Sequence, residues 1–218
     1  SHSAVFSLIA VYATSMNFSI LEVSIVTFLF AISGAISQWP IGKLSDVLDR
    51  RIVIIYTTFG AALFCFLAII SSGQMYMPAG LATSKIFFYI CIMCFSFCSL
   101  PMFALIFAHT NDFIPKEKFV AAGAGLQFVF GLGAICGPFM CSLFMEFLGE
   151  NGFFIFLIIF HSFIGLFGIY RMQIRESGDN PDSQFAPMPQ TITPAGIELN
   201  PSTEPIDEPN NLNEFKKI

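Results

Sequence analysis

Long apolar runs separated by short polar stretches dominate the first 170 or so residues of this chain. Five runs, over 23–42, 52–72, 85–108, 119–145 and 153–170, approach or exceed the roughly 20 apolar residues that a helix needs to cross a bilayer. They are continuous and lack the period-2 alternation of barrel strands. Backbone groups in lipid have to be satisfied within the segment, so each run predicts an α-helix. The first run is different: residues 4–16, AVFSLIAVYATSM, would extend only about 20 Å as a helix, against a hydrocarbon core of about 30 Å. It reads as the last part of a membrane helix that starts upstream of Ser1, with a short re-entrant segment as the alternative. The pattern stops after the last run. Residues 173–218 are rich in Pro, Asn, Ser, Thr and acidic groups, and cannot bury enough apolar surface to offset ordering entropy. The expected organisation is an all-α polytopic membrane unit over 1–172 and a disordered acidic tail over 173–218.

Composition sharpens this reading. The chain is 55% hydrophobic and 11% charged, where a soluble domain carries about 25% charged residues. Residues 1–171 hold equal numbers of acidic and basic groups, so the whole net charge of -5 lies in the tail. With no basic patch to neutralise phosphates, nucleic acid is excluded as a partner. The six cysteines all lie inside apolar runs, unlike a secreted disulfide scaffold, and no cleavable signal peptide is visible.

Basic residues give the orientation. Lys43, Arg50 and Arg51 follow the second run, Lys116 and Lys118 follow the fourth, and Arg171 and Arg175 follow the sixth. If every run crosses the membrane, these three locations share one side. The positive-inside rule makes that side, and the C-terminus, cytoplasmic.

The stretch QWPIGKLSDVLDRR, residues 38–51, packs five charges between two apolar runs. Gly42 permits close helix approach, and Pro40 removes a backbone donor, which invites a kink at the helix end. Asp46 is placed to face the positive N-terminus of a neighbouring helix. Arg50 and Arg51 can pair with carboxylates or lipid phosphate. The parts suit a latch between helix ends. Gly42, Leu44, Asp46, Arg50 and Arg51 resemble the loop signature of the major facilitator superfamily. Val47 stands where that signature has Arg, and Asp49 where it has Gly. The longer string, with AHTND at 108–112, GLGAICGP at 131–138 and IYR at 169–171, is similar to the YcaD-like bacterial branch.

The resemblance covers about residues 10–171 and implies the C-terminal half of a twelve-helix major facilitator fold, from the end of helix seven to helix twelve. It further implies a multi-pass protein of a bacterial inner membrane. Its partners would be membrane lipid, a missing N-terminal six-helix half, a small-molecule solute and a coupling proton or other ion. The function implied is secondary active transport by alternating access, with the charged loop in the cytoplasmic gate and Asp46 facing a helix end of the missing half. The competing reading is a non-transporting six-helix scaffold or sensor that recruits a partner through its acidic tail.

Gly133 and Gly137 allow close helix packing and Pro138 bends the fifth run, a pattern that also resembles the superfamily's Gly-rich antiporter motif. His109 and Asp112, spaced i, i+3, share a helix face. They either relay protons or, more often in such groups, cap the helix and hold the next loop. His161 is the one ionisable side chain deep in a complete run, and so a candidate for a proton or substrate pathway. Gln127, Ser33 and Ser37 either line a cavity or join helices. Cys91, Cys94 and Cys98 form one stripe without a nearby His or carboxylate, so they read as packing and not as a metal site. No P-loop, dinucleotide fingerprint or HExxH occurs, and neither a cofactor nor an enzymatic constellation is expected.

Overall fold

The computed structural model describes residues 2–74, 81–115, 118–174 and 187. The tail expected over 173–218 is corrected at its start, where Gln173 and Ile174 continue a helix; apart from these and residue 187 it lies outside the described residues, as do Lys116 and Arg175. The described chain is helical, in seven segments: α1 His2–Ser15, α2 Ile20–Val47, α3 Arg50–Gln74, α4 Leu81–Ser99, α5 Met102–Asn111, α6 Phe119–Leu148 and α7 Gly152–Ile174. α2, α3, α4 with α5, α6 and α7 are long and apolar enough to cross a membrane, and α1 is shorter.

Two expectations are corrected. The charged stretch is helix for most of its length. α2 continues through Pro40 to Val47, leaving only Leu48 and Asp49 before α3. Gly42, Leu44 and Asp46 are therefore helical positions, and Pro40 does not end the helix. The run over 85–108 is also not one helix: it breaks at Leu100–Pro101 into α4 and α5. Proline has no N–H to offer the preceding turn, so the hydrogen-bond ladder is interrupted there.

α2 starts on a reciprocal capping box. The Glu22 carboxylate accepts from the Ser19 backbone N–H at 2.8 Å, and the Ser19 hydroxyl accepts from the Glu22 N–H. Its next neighbours in space are α4 and α1. Gly34 brings α2 close to the α4–α5 break, where a methyl group would overlap the Leu100 side chain. Two serines then bond across the α2–α4 interface in opposite directions: Ser33 Oγ donates to the Met93 carbonyl at 2.6 Å, and Ser96 Oγ donates to the Phe30 carbonyl. Such bonds join membrane helices where neither lipid nor water competes. Ser33 is thus a helix-joining residue, whereas Ser37 donates to Gly34 of its own helix.

α3 packs on α4 and α7. The Phe59 ring lies against Gly165 and the Ile55 side chain against Gly168, so the two glycines of α7 are close-approach positions. Gly137 of α6 lies against Ser3 and Ala4 of α1, and Ser3 Oγ donates to the Gly133 carbonyl at 3.2 Å. α6 runs unbroken through Pro138. Tyr12 of α1 stacks on Phe153 at 5.3 Å and meets Phe154 edge-on at 4.9 Å, which seats the short helix on α7. Much of the remaining surface of α6, including Phe128, Val129, Leu132, Ile135 and Phe139, is exposed and apolar, as lipid or further helices require.

Candidate functional site

The charged end of the bundle is organised around Arg50, the first residue of α3. Its guanidinium donates to Asp112 Oδ1 at 3.1 Å and to Asp46 Oδ1 at 3.3 Å. Three helix ends therefore meet on one side chain: the last turn of α2, the first turn of α3 and the C-cap of α5. The electrostatics explain the arrangement. A cation at a helix N-terminus and an anion at a helix C-terminus each oppose the helix dipole. Pairing Arg50 with Asp112 offsets both. The Arg50 side chain is 8% exposed and that of Asp112 10%, whereas Asp46 keeps 35%. The Arg50–Asp112 pair is the buried member and Asp46 the open one.

Asp49 and Arg51 form a separate local unit. Asp49 Oδ1 accepts from the Arg51 backbone N–H at 2.9 Å, as a helix N-cap does, and both carboxylate oxygens accept from the Arg51 guanidinium, with Nη2 to Oδ2 at 2.7 Å. These hydrogen bonds hold the Asp49 carboxyl below its ordinary pKa. Asp49 thus does the capping that a two-residue α2–α3 connection needs, at the position where the superfamily signature has Gly. Gly42 is buried and its carbonyl accepts from Ser45 Oγ at 2.8 Å, while Leu44 is exposed. Lys43 sits over the exposed Trp39 ring, 4.3 Å from its centre.

His109 Nδ1 lies 3.8 Å from Asp112 Oδ2, too far for a hydrogen bond, and its ring meets Phe113 edge-on. Asp112 is therefore chiefly the partner of Arg50. That contact spans 62 positions, and the local His109–Asp112 spacing gives no sign of it. At the opposite end of α2, Lys85 Nζ donates to Glu22 Oε1 at 2.6 Å. Glu22 and Asp46 are separated by 24 residues, about 36 Å of helix, so ion pairs bracket a length close to that of a bilayer core.

His161 is fully buried in α7, away from this charged end. Its Nδ1 lies 2.8 Å from the Leu157 carbonyl and its Nε2 3.0 Å from Ser99 Oγ. His2 of α1 reaches the same serine, with Nε2 2.8 Å from the Ser99 carbonyl and 3.0 Å from Ser99 Oγ. His2 and Ser99 are not among the candidates that the sequence singles out. The available signals are a His just before a short apolar run and a Ser just before the Leu-Pro break in a longer one. Gln127 is half-buried, about two turns into α6. No group of three or more His, Cys, Asp or Glu side chains suited to a metal occurs among the described residues.

The described residues form a bundle of apolar helices whose charged ends are tied by ion pairs and whose spans bury polar side chains between them. The chain belongs to the Major Facilitator Superfamily, whose family model matches residues 1–206. An uncharacterized MFS-type transporter of Yersinia enterocolitica is 24% identical over 84% of this chain and 43% of its own length. An uncharacterized MFS-type transporter of Bacillus subtilis, YfkF, is 28% identical over 68% of this chain and 35% of its own. The chain therefore spans less than half the length of these curated relatives. No solved structure matches it.

Proposed function

We propose that this chain is the C-terminal six-segment part of a secondary carrier. It moves a small solute across the membrane by alternating access, together with an N-terminal half that packs on it. Its charged end faces the cytoplasm, and the membrane is the inner membrane of a bacterium. The observation that carries this reading is the three-way meeting of α2, α3 and α5 on Arg50. An ion pair buried as far as Arg50–Asp112 holds its geometry, whereas the more open Asp46 can exchange partners at little cost, because exposed pairs contribute only about 0–1 kcal/mol. Arg50 and Asp112 then form the fixed part of a cytoplasmic gate and Asp46 its exchangeable part. The Glu22–Lys85 pair ties α2 to α4 at the other end, so these helices travel together as the gate opens.

The test uses a single cysteine at Leu48, an exposed position between α2 and α3, with the native cysteines replaced by alanine. Labelling by a membrane-impermeant maleimide is followed in inverted and right-side-out vesicles, across a panel of small solutes and imposed ion gradients. Labelling confined to inverted vesicles, at a rate that changes with at least one solute or gradient, is the expected result. A rate indifferent to every solute and gradient, and unchanged by Asp46→Asn, contradicts the reading.

A further inference from the structure

We propose that His2, Ser99 and His161 form a directed proton relay inside the membrane, and that this relay is the coupling-ion site of the carrier. The ligand class is the proton itself. The inference rests on the transporter reading for its role but on geometry for its existence.

The hydrogen positions follow from the acceptors. A backbone carbonyl only accepts, so the Leu157 carbonyl 2.8 Å from His161 Nδ1 requires a proton on Nδ1. His161 Nε2 is then a bare acceptor, and Ser99 Oγ donates to it across 3.0 Å. The Ser99 carbonyl, 2.8 Å from His2 Nε2, likewise requires a proton on that nitrogen. Ser99 Oγ, 3.0 Å from the same nitrogen, is left as its acceptor. The chain of donors runs one way: His2 Nε2–H to Ser99 Oγ–H to His161 Nε2.

A proton bound at His2 Nδ1 makes that ring an imidazolium. Its Nε2–H bond can break as a new bond forms to Ser99 Oγ, while the original Ser99 O–H bond breaks and its proton joins His161 Nε2. His2 ends neutral, protonated on Nδ1, Ser99 ends as an ordinary hydroxyl, and His161 ends as the imidazolium. One positive charge has moved from α1 to α7, and every valence is satisfied. The fold supplies the parts. The Pro101 break frees the end of α4, and three separate elements contribute one side chain each.

Among the described residues, no fixed charge competes with the relay. Their Asp, Glu, Lys and Arg side chains fall at positions 22, 43–51, 85, 112, 118, 146, 150 and 171, at or near helix ends. The titratable groups turned into the surrounding core are thiols and a phenol: Cys65 on α3, Cys91 on α4, Cys141 on α6 and Tyr12 on α1, with Cys98 of α4 half-buried against α3. The Phe95 ring meets His161 edge-on at 5.6 Å and closes the site from α4.

The experiment is 15N NMR of the full-length protein, labelled at histidine and reconstituted in nanodiscs, with assignment by His2→Gln and His161→Gln. The expected tautomers are a proton on Nδ1 of His161 and on Nε2 of His2. On acidification, an imidazolium should exchange between the two rings in the unsubstituted protein and in Ser99→Thr, and about 100-fold more slowly in Ser99→Ala. A His161 proton on Nε2, or exchange unaffected by Ser99→Ala, overturns the relay. The tautomers are read on the unsubstituted chain, so the proposal does not depend on a variant folding. The readout needs no solute. A relay without any transported solute would defeat the carrier reading alone, and transport without the relay would defeat only this inference.

Discussion

The Arg50 guanidinium lies 3.1 Å from the Asp112 carboxylate, joining the first turn of α3 to the C-cap of α5 across 62 positions of sequence. Neither helix end is electrostatically comfortable alone, and the pair corrects both. That relationship turns a charged stretch between two apolar helices into a clasp.

Breaking the clasp should cost unequally. Removing one partner of a buried ion pair costs about 3–5 kcal/mol, because the other charge is left uncompensated, whereas an exposed pair contributes about 0–1 kcal/mol. Asp112→Asn is therefore expected to destabilise the protein by several-fold more than Asp46→Asn. Thermal unfolding in detergent measures both, and a double-mutant cycle of Arg50→Ala with Asp112→Asn should show strong coupling. Equal costs at Asp46 and Asp112 would show that the pair does not hold the helix ends.

Close approach at Gly34 gives a second expectation. A methyl group there would overlap Leu100 at the α4–α5 break, and overpacking costs about 1–3 kcal/mol. Gly34→Ala should lower stability by that amount, and Leu100→Ala in the same chain should restore part of it. At Gly131 of α6 a methyl group would meet nothing within 4 Å. Gly131→Ala should therefore be neutral or gain up to about 1 kcal/mol of helix propensity.

The Asp49 cap makes the α2–α3 connection sensitive to acid. Arg51 holds the Asp49 carboxyl below its ordinary pKa, so its contribution is fully present above the unfolded carboxylate value and fades as pH falls through the lower folded value. Backbone hydrogen exchange at residues 50–53 should rise on acidification through that window. Asp49→Asn keeps the cap but loses the charge, and should show the weaker pH dependence.

Much of the fold is legible in the sequence because bilayer thickness imposes its own period. The runs over 52–72, 119–145 and 153–170 are α3, α6 and α7, each a little longer than the apolar stretch, because helices extend past the hydrocarbon to polar ends. Hydropathy hides the break at Pro101, since Leu100 and Pro101 interrupt the helix without interrupting the apolar run. It also ends the second run at Gly42 and leaves Leu44 and Asp46 out of the helix, because charge in a membrane protein marks depth and not helix termination. Arg50 and Asp112 each stand out in the sequence, but their meeting does not, since spacing reveals neighbours along one helix and says nothing of partners 62 positions away. Ser99 is invisible for the same reason. A lone serine two positions before a proline acquires meaning only when two histidines from other helices converge on it.

Gradient-driven transport shows itself as accumulation of solute against its own gradient. The full-length protein would be reconstituted in proteoliposomes with imposed proton or sodium gradients and offered a panel of labelled small solutes. The expected result is accumulation of at least one solute above its equilibrium level, lost when the gradient is collapsed and strongly reduced by Arg50→Ala. Uptake no greater than in protein-free liposomes for every solute, under every gradient, would contradict it.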